Sequence, residues 1–415
     1  MLNIYKEQMD ESYEEIFQKT TISADIANSR FEKNLSFGAS VKRARMFIDG
    51  VRVRAITAHQ NRVIDQLYDG KELITINKNI GTTFRIMKRE EKQAGPLSPS
   101  EFAGMKIAMK TAIVVDAWVL AETKNAFARF DNGDLTTMIS SGTPVDFVKA
   151  NMEGIVARTQ AKLGRNLGGL TAITNTAWVV DSYGLAEITQ YLMAKNTDFS
   201  KAVFQNGLVH DLKLNYADIY LSENLTSDIV LSFASNPGDG QKLTIGNFTF
   251  TFVSTIGTTP GNVFIGATAN DTRTNLANAI NAHQNDTPTD TAQYIVFKND
   301  LSDPENPKFD QTLFAELGWV ATNLTATNKF SLTGVGAGRQ LVAGTYTGYA
   351  VDSNVVHFYY GKKGAIDVVI QQEVDTEVHP DPYQRATIIM SDKLLGIKTF
   401  ADGKQKFLDV TIKVQ

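Results

Sequence analysis

The chain of 415 residues contains no cysteine. This excludes disulfide bridges, thiolate metal ligands and cysteine nucleophiles, and it permits a reducing compartment without requiring one. Histidine is scarce, with five residues. The sequence has no HExxH or GxSxG motif and no Walker phosphate loop. No familiar catalytic motif therefore indicates an enzyme, and we expect no catalytic residues and no cofactor.

Long apolar runs are also missing. The longest, Thr111–Ala121, is interrupted by Asp116, and it is about half of the ~20 residues that span a bilayer. The first residues, MLNIYKEQMDESYEEIFQK, are acidic and have no apolar core. We therefore expect a soluble chain without membrane association that is not exported through a signal peptide. The formal net charge is only −4, whereas proteins that bind nucleic acid through many phosphates usually have a basic face.

The 43% hydrophobic fraction is sufficient for a sizeable core, and this length is typical of two or three domains. Residues 233–351 differ from the rest. They contain 19 Thr, 12 Asn and 12 Gly, but only 6 of the 41 Lys and Arg residues and 9 of the 45 Asp and Glu residues. Such a composition favours short strands and turns. In LTIGNFTFTFVST, apolar and polar residues alternate as they do in a pair of half-buried strands. In Asn270–His283, the apolar residues recur at the spacing of a helix face.

The sequence SNPGDGQKLTIG, residues 235–246, contains a proline and three glycines. It ends the composition that is typical of the preceding residues, and this composition returns near Asn354. This organisation predicts one domain inserted into another, and we expect Thr347–Asn354 to lie close to residues 235–246.

An arginine-rich stretch near the N-terminus predicts a β-hairpin. VKRARMFIDGVRVRAIT, residues 41–57, has the pattern of a strand, an Asp-Gly turn and a second strand. One face of this ribbon would be basic, through Arg43, Arg45, Arg52 and Arg54. We expect the face either to be solvated or to contact an acidic neighbour. Residues 4–19 predict a short amphipathic helix, and ELITIN and TFRIMKR predict further strands.

Two helix starts are visible in the middle of the chain. SPSE, residues 98–101, is a capping box with proline at the first helical position, and the apolar pattern continues to Phe127. A helix over 99–127 would be about 43 Å long. Thr143-Pro144-Val145-Asp146 predicts a second start, with an end near Gly164. TAWVV, YADIYLS, VHFYY and KFLDVTIKV predict strands, and a helix follows Ser182.

Three stretches have compositions that binding sites use. VDTEVHPDPY would place four candidate metal ligands on one face of a strand: Asp375, Glu377, His379 and Asp381. A metal site usually draws ligands from several elements, so a solvated or subunit-facing strand is the favoured interpretation. GVGAG, residues 334–338, lacks the following helix of a phosphate loop and predicts a turn between strands. The acidic residues 299–310 lack the EF-hand pattern and predict a solvated loop.

The order of these parts resembles the major capsid protein of tailed double-stranded DNA bacteriophages, which has the Hong Kong 97-type shell fold. The resemblance covers residues 1–232 and 352–415, and it rests on pattern and order. It is carried by VKRARMFIDGVRVRAIT, LSPSEFAGMKIAMKTAIVVDAWVLAETKNAF, FQNGLVHDLKLNYADIYLSENL, HFYYGKKGAIDVVIQQEV and RATIIMSDKLLGIKTFADGKQKFLDVTIKV.

The resemblance implies an α+β chain with five parts. They are an N-arm (1–38), an E-loop (39–70), a P-domain (71–140 and 375–415) with its spine helix at 99–127, an A-domain (141–232 and 352–374) and an inserted mainly-β domain (233–351).

The function that the resemblance implies is structural. Many copies would self-assemble into the hexamers and pentamers of an icosahedral phage head, formed in the bacterial host cytoplasm and enclosing DNA contacted non-specifically. The four arginines would contact neighbouring subunits, and the other partners would be portal, scaffold and head-completion proteins. Alternatives are an encapsulin-type nanocompartment shell, a phage adhesin or tail protein that binds a surface glycan, and an α/β enzyme using the βα unit at Ala177–Met193.

Overall fold

The structure is a computed structural model that describes residues 22–28, 40–47, 68–87, 99–169, 173–195, 213–214, 217–283, 289–297, 318–381 and 385–414. Three predictions fall outside the described residues: the helix at 4–19, the turn and second strand of the arginine-rich hairpin, and the acidic loop at 299–310. In the described part, no helix combines the length and apolarity needed to cross a bilayer.

The described α-helices are α1 (Ser23–Ile26), α2 (Pro99–Ala121), α3 (Asn132–Thr136), α4 (Met152–Leu167), α5 (Ser182–Lys195), α6 (Ala269–Ala282) and α7 (Ala401–Lys404). The described strands are β1 (Ala27–Asn28), β2 (Ser40–Phe47), β3 (Tyr68–Thr75), β4 (Lys78–Met87), β5 (Ala128–Phe130), β6 (Thr176–Val180), β7 (Lys213–Leu214), β8 (Ala217–Leu221), β9 (Thr226–Phe233), β10 (Lys242–Ile245), β11 (Phe248–Val253), β12 (Asn262–Phe264), β13 (Val320–Leu324), β14 (Lys329–Val335), β15 (Val342–Gly344), β16 (Tyr349–Lys362), β17 (Ile366–Asp381), β18 (Ala386–Lys398) and β19 (Phe407–Lys413).

In the described part of the chain, four sheets organise this mixed α+β fold. The largest has nine strands, and its main path is β13-β14-β9-β16-β6-β8-β7, with β19 between β16 and β5. A four-stranded sheet, β1-β17-β18-β4, contains the long antiparallel pair of β17 and β18. A second four-stranded sheet, β12-β11-β10-β15, is built only from the Thr-rich segment, and β2 pairs with β3.

The long helix α2 begins at Pro99, as the capping box predicts, but its α-helical part ends at Ala121. Its 23 residues span about 35 Å. A 3-10 turn, Glu122–Asn125, follows. The helix does not reach residue 127 because the chain there bonds to the C-terminal region: Phe127 N donates to Lys404 O at 2.9 Å, and β5 runs parallel to β19.

The predicted helix start at Thr143 is wrong. Val145 instead forms a parallel bridge to Ile412 of β19, with hydrogen bonds to Thr411 O and from Lys413 N of 2.8 and 2.9 Å. Helix α4 begins at Met152 and ends at Leu167, where Gly168 adopts the left-handed conformation. The local capping signal is overridden because the backbone at Val145 extends a sheet.

The remaining predicted elements agree with the structure. TAWVV forms the fully buried β6, and α5 follows it. LTIG and FTFTFV form the hairpin of β10 and β11. α6 has Thr268 as its N-cap and His283 as its C-cap. GVGAG connects β14 to β15 through a 3-10 turn, so it is a turn between strands, as predicted.

The two chain segments that enter and leave the Thr-rich region lie side by side, as the sequence predicts. Phe233 pairs with Tyr349, and Ala234 N donates to Gly348 O at 2.8 Å. The Tyr346 hydroxyl donates to Ser235 O at 2.5 Å.

The nine-stranded sheet continues across this point. β13 and β14 lie within residues 233–351, yet β14 pairs with β9 along seven residues.

Two main hydrophobic cores result. The first joins α2, α4, α5 and the centre of the nine-stranded sheet, with Val119, Ile155, Trp178, Phe358 and Val410 fully or almost fully buried. The second fills the Thr-rich region, with Phe250, Ile280 and Trp319, and it also takes Ile229 and Leu231 from β9. β9 thus contributes to the core of the region that follows it, while β16 continues into the first core.

Candidate functional site

The four candidate intersubunit arginines are only partly described. Arg43 and Arg45 lie two residues apart in β2, so they share one face of the ribbon. Their register partners in β3 are Glu72 and Gly70. Arg52 and Arg54 lie outside the described residues, and contact with another subunit stays a prediction.

The candidate metal ligands lie on β17. Glu377 and His379 are exposed, and Glu377 Oε2 is 2.9 Å from His379 Nε2. Asp375 pairs in register with Asp392, and Asp381 with Ala386. Across the described residues, no group of three or more His, Asp or Glu side chains could hold a metal ion.

A buried carboxylate joins three parts of the chain. Asp116, in the C-terminal half of α2, is 0% exposed. Its Oδ1 accepts hydrogen bonds from the backbone amides of Ile22 and Ser23 at 2.8 and 2.7 Å. Its Oδ2 accepts from Ser222 Oγ at 3.1 Å and Asn224 Nδ2 at 2.8 Å. Four donors satisfy the buried carboxylate, and they fasten the segment after residue 21 and the loop after β8 to α2.

A buried ionic cluster joins α2 to the nine-stranded sheet. His357 of β16 is 2% exposed. Its Nδ1 is 2.8 Å from Asp409 Oδ1 on β19, and its Nε2 is 3.1 Å from Asp228 Oδ2 on β9. Lys124, in the turn after α2, donates to Asp228 at 2.8 Å, and Arg129 Nε is 3.3 Å from Asp409 Oδ2. Five side chains thus bring four strands and the end of α2 together.

The electrostatics of this cluster favour a protonated histidine. Both ring nitrogens face carboxylate oxygens, and each can donate only if it carries a proton. Burial alone would lower the pKa of His357, but hydrogen bonds to Asp228 and Asp409, and their charges, raise it above its ordinary value. Burial alone would raise the pKa of Asp228, but hydrogen bonds and charges from His357 and Lys124 hold it well below its usual range. The cluster is therefore a set of mutually stabilised charges.

A second ionic contact fastens the Thr-rich region to the first core. Arg339, in the turn between β14 and β15, donates from Nε to Asp181 Oδ2 at 2.7 Å, and its Nη2 contacts the same oxygen. Asp181 also accepts from Gly184 N at the start of α5, at 2.8 Å. The Arg339 guanidinium lies 4.4 Å from the centre of the exposed Tyr183 ring.

These polar anchors were not assigned from the sequence, although a signal existed. Asp116 interrupts an otherwise apolar helical run, and Asp228, His357 and Asp409 each interrupt apolar strands. A single charged residue in such a run indicates either a solvated face or a buried polar contact. The partners are separated by 52 to 280 residues, so the pattern alone could not pair them.

An open cavity of about 400 Å³ lies beside α4, and the residues that line it include Phe127, Met138 and Arg165. Phe127 and Met138 are 68% and 70% exposed. This surface combines large apolar groups with cations.

Comparison with known proteins places the fold. No protein-family model and no curated protein sequence matches the chain. A structure titled "Mycobacterium phage Che8" matches with a TM-score of 0.52 and 12% identity, covering 99% of this chain and 98% of that one. A "Capsid structure of the Cyanophage P-SCSP1u" matches with a TM-score of 0.48 and 10% identity, covering 99% and 94%. The "Asymmetric unit of bacteriophage PhiM1 mature capsid" matches with a TM-score of 0.43 and 14% identity, covering 97% of this chain and 91% of that one.

At these identities the likeness is one of fold, and it extends over nearly the whole length of both chains. The chain shares its fold with this phage Che8 structure, in agreement with the phage resemblance seen in the sequence.

Proposed function

We propose that this chain is a major capsid protein that self-assembles into the hexamers and pentamers of an icosahedral phage head around double-stranded DNA. The observation that carries the proposal is the match to the phage Che8 structure over 99% of the chain. A likeness that extends from end to end is expected of proteins that form the same kind of shell. The role is structural, and no catalytic step is assigned to any residue.

The parts of a Hong Kong 97-type subunit are proposed on the described elements. α2 is the spine helix of a P-domain that covers residues 71–140 and 375–415 and includes β4 and β18. The A-domain covers residues 141–232 and 352–374 and includes α4, α5 and β6. Residues 1–38 are the N-arm, and residues 39–70 the E-loop, whose base is the pairing of β2 with β3. Long thin elements of this kind bury apolar area on neighbouring subunits, at about 25 cal/mol per Å².

The inserted domain, residues 233–351, is proposed as a module that shares a sheet with its host. The pairing of β14 with β9 and the shared core residues of β9 support a rigid attachment. The ion pair of Arg339 and Asp181 adds a second attachment point. We expect the module to be displayed on the particle surface as a fixed projection and not as a tethered domain.

The arginines of the ribbon are proposed to orient neighbouring subunits, since charge complementarity contributes orientation more than affinity. The near-neutral net charge of −4 is compatible with a container that contacts packaged DNA non-specifically. Portal, scaffold and head-completion proteins are the further partners expected in the assembling host cell.

Negative-stain electron microscopy of the expressed protein, alone and with the scaffold protein of its phage, tests this function. Uniform shells, or rings of five and six subunits, are the expected result. A chain that sediments as a monomer under all assembly conditions, with or without scaffold, would contradict the proposal. An open fibre or tail-like tube would favour a tail protein instead.

A further inference from the structure

The cavity beside α4 has the composition of a docking site. Three cations, Arg158, Lys162 and Arg165, line it from successive turns of α4, at positions i, i+4 and i+7. Phe127 and Met138 line it from the segments after α2 and α3. An apolar surface with a cationic rim suits a partner segment that has one apolar and one acidic face.

The apolar part of this surface is held in place. Met138 and Ile139 are 70% and 72% exposed, and Met138 has a positive φ of 63°, which is rare for a bulky residue. The buried Asp131 fixes the loop: its carboxylate accepts from Ser140 Oγ at 2.6 Å and Gly142 N at 2.7 Å. A backbone outlier and two exposed apolar side chains in one fixed loop indicate a preorganised contact surface.

The charges of the lining are not balanced internally. Lys162 Nζ bonds to the Asp134 carboxylate at 2.6 Å, and Arg158 Nη1 donates to Asp134 O at 3.0 Å. Arg165 is exposed and makes no ion pair within the described ranges. The lining therefore offers the exposed Arg165 as a cation to an incoming carboxylate.

Residues 1–21 have the matching composition. They contain five acidic and two basic residues, and the sequence predicts an amphipathic helix over 4–19 with an apolar face of Ile4, Tyr13, Ile16 and Phe17. The E-loop segment 48–67 contains three arginines and only two acidic residues, so it does not complement a cationic rim. The acidic stretch at 299–310 lacks an apolar face of comparable size.

We propose that residues 1–21 of one copy bind the cavity of Phe127, Met138 and Arg165 on a second copy. This inference rests on the proposed function, since it requires neighbouring copies, and it specifies where one part of the N-arm is received. The segment is anchored at its exit point by the bonds of Ile22 and Ser23 to Asp116. Its apolar face covers Phe127 and Met138, and its carboxylates meet the cations of α4.

The absence of native cysteine makes a direct test possible. Two single-cysteine variants, Phe17→Cys and Met138→Cys, are mixed before assembly, with a size tag on one of them so that heterodimers and homodimers separate on a non-reducing gel. Leu341→Cys, which replaces an equally exposed side chain in the inserted region (75% exposed), is the matched control. The expected result is a heterodimer band about tenfold stronger for Phe17 with Met138 than for Phe17 with Leu341.

A charge variant tests the chemistry of the contact. Arg165→Glu, at an exposed position, should reduce the crosslink several-fold, and Lys149→Glu, an equal charge change off the cavity lining, should not. Equal crosslinking to Met138 and Leu341 would overturn the inference. So would a crosslink that forms only within a Phe17→Cys/Met138→Cys double variant, because this would mean binding in the same chain. Electron microscopy of the same samples separates the two failures: shells without the crosslink contradict only this inference, and the absence of shells contradicts the proposed function.

Discussion

Replacement of His357 by leucine should remove the cation at the centre of the buried ionic cluster. Among the described residues, Arg129 would then be the one cation left beside Asp409, at 3.3 Å and half exposed, while Asp409 itself is 2% exposed. Removing one partner of a buried ion pair typically costs about 3–5 kcal/mol, and we expect a loss of this size in the free energy of unfolding of the unassembled subunit. Urea unfolding followed by tryptophan fluorescence measures it, because Trp178 lies in the same core.

The same variant predicts a pH dependence with a defined sign. The pKa of His357 is raised in the folded chain. Its contribution to the free energy of unfolding is therefore complete below the pKa of about 6.5 that histidine has in the unfolded chain, and it is lost as the pH rises through the pKa of the folded chain. The difference between wild type and His357→Leu should therefore be largest near pH 6 and shrink at alkaline pH. The control Lys406→Ala removes a surface pair with Asp402, and it should cost less than about 1 kcal/mol. If His357→Leu lowers the free energy of unfolding by no more than Lys406→Ala does, or if its loss grows with pH, the reasoning is refuted.

Three further predictions concern anchoring and packing. Asp116→Asn replaces one acceptor oxygen by a donating amide group, which then faces donors of the protein. We therefore expect the free energy of unfolding to fall by about 1–3 kcal/mol, and proteolysis just before Ile22, measured by mass spectrometry, to become faster. Arg339→Ala leaves a buried carboxylate without its cation, and hydrogen exchange in β14 should increase while exchange in α4 stays unchanged. Gly361→Ala places a Cβ 2.2 Å from that of Phe407 and should abolish soluble expression, whereas a Cβ at Gly238 meets its nearest atom at 3.5 Å, so Gly238→Ala should be neutral.

Local patterns predicted much of the fold because the relevant signals are contained in short segments. The capping box before α2, the alternation of β10 and β11, and the helical spacing of α6 each depend on neighbours within a few residues. The failure at Thr143 has the opposite cause. Its capping signal is local, but the bridge of Val145 to Ile412 is made with a strand more than 260 residues away.

The inserted region shows a similar limit. Its composition reveals where the chain changes character, but it does not reveal that β14 returns to pair with β9. The ionic cluster was also beyond prediction, because four strands and the end of a helix must first be placed before His357, Asp228 and Asp409 come within hydrogen-bonding distance. The charged residues were visible in the sequence as interruptions of apolar runs, but their pairing is a property of the sheet order.

The most direct test of the capsid proposal is a cryo-electron microscopy reconstruction of particles assembled from the purified chain, with scaffold if assembly requires it. The proposal predicts closed icosahedral shells whose five-fold and six-fold positions are surrounded by copies of this chain, with density for residues 233–351 projecting from the shell. A particle wall formed by a different protein, or a chain that remains monomeric in every assembly condition, would contradict it.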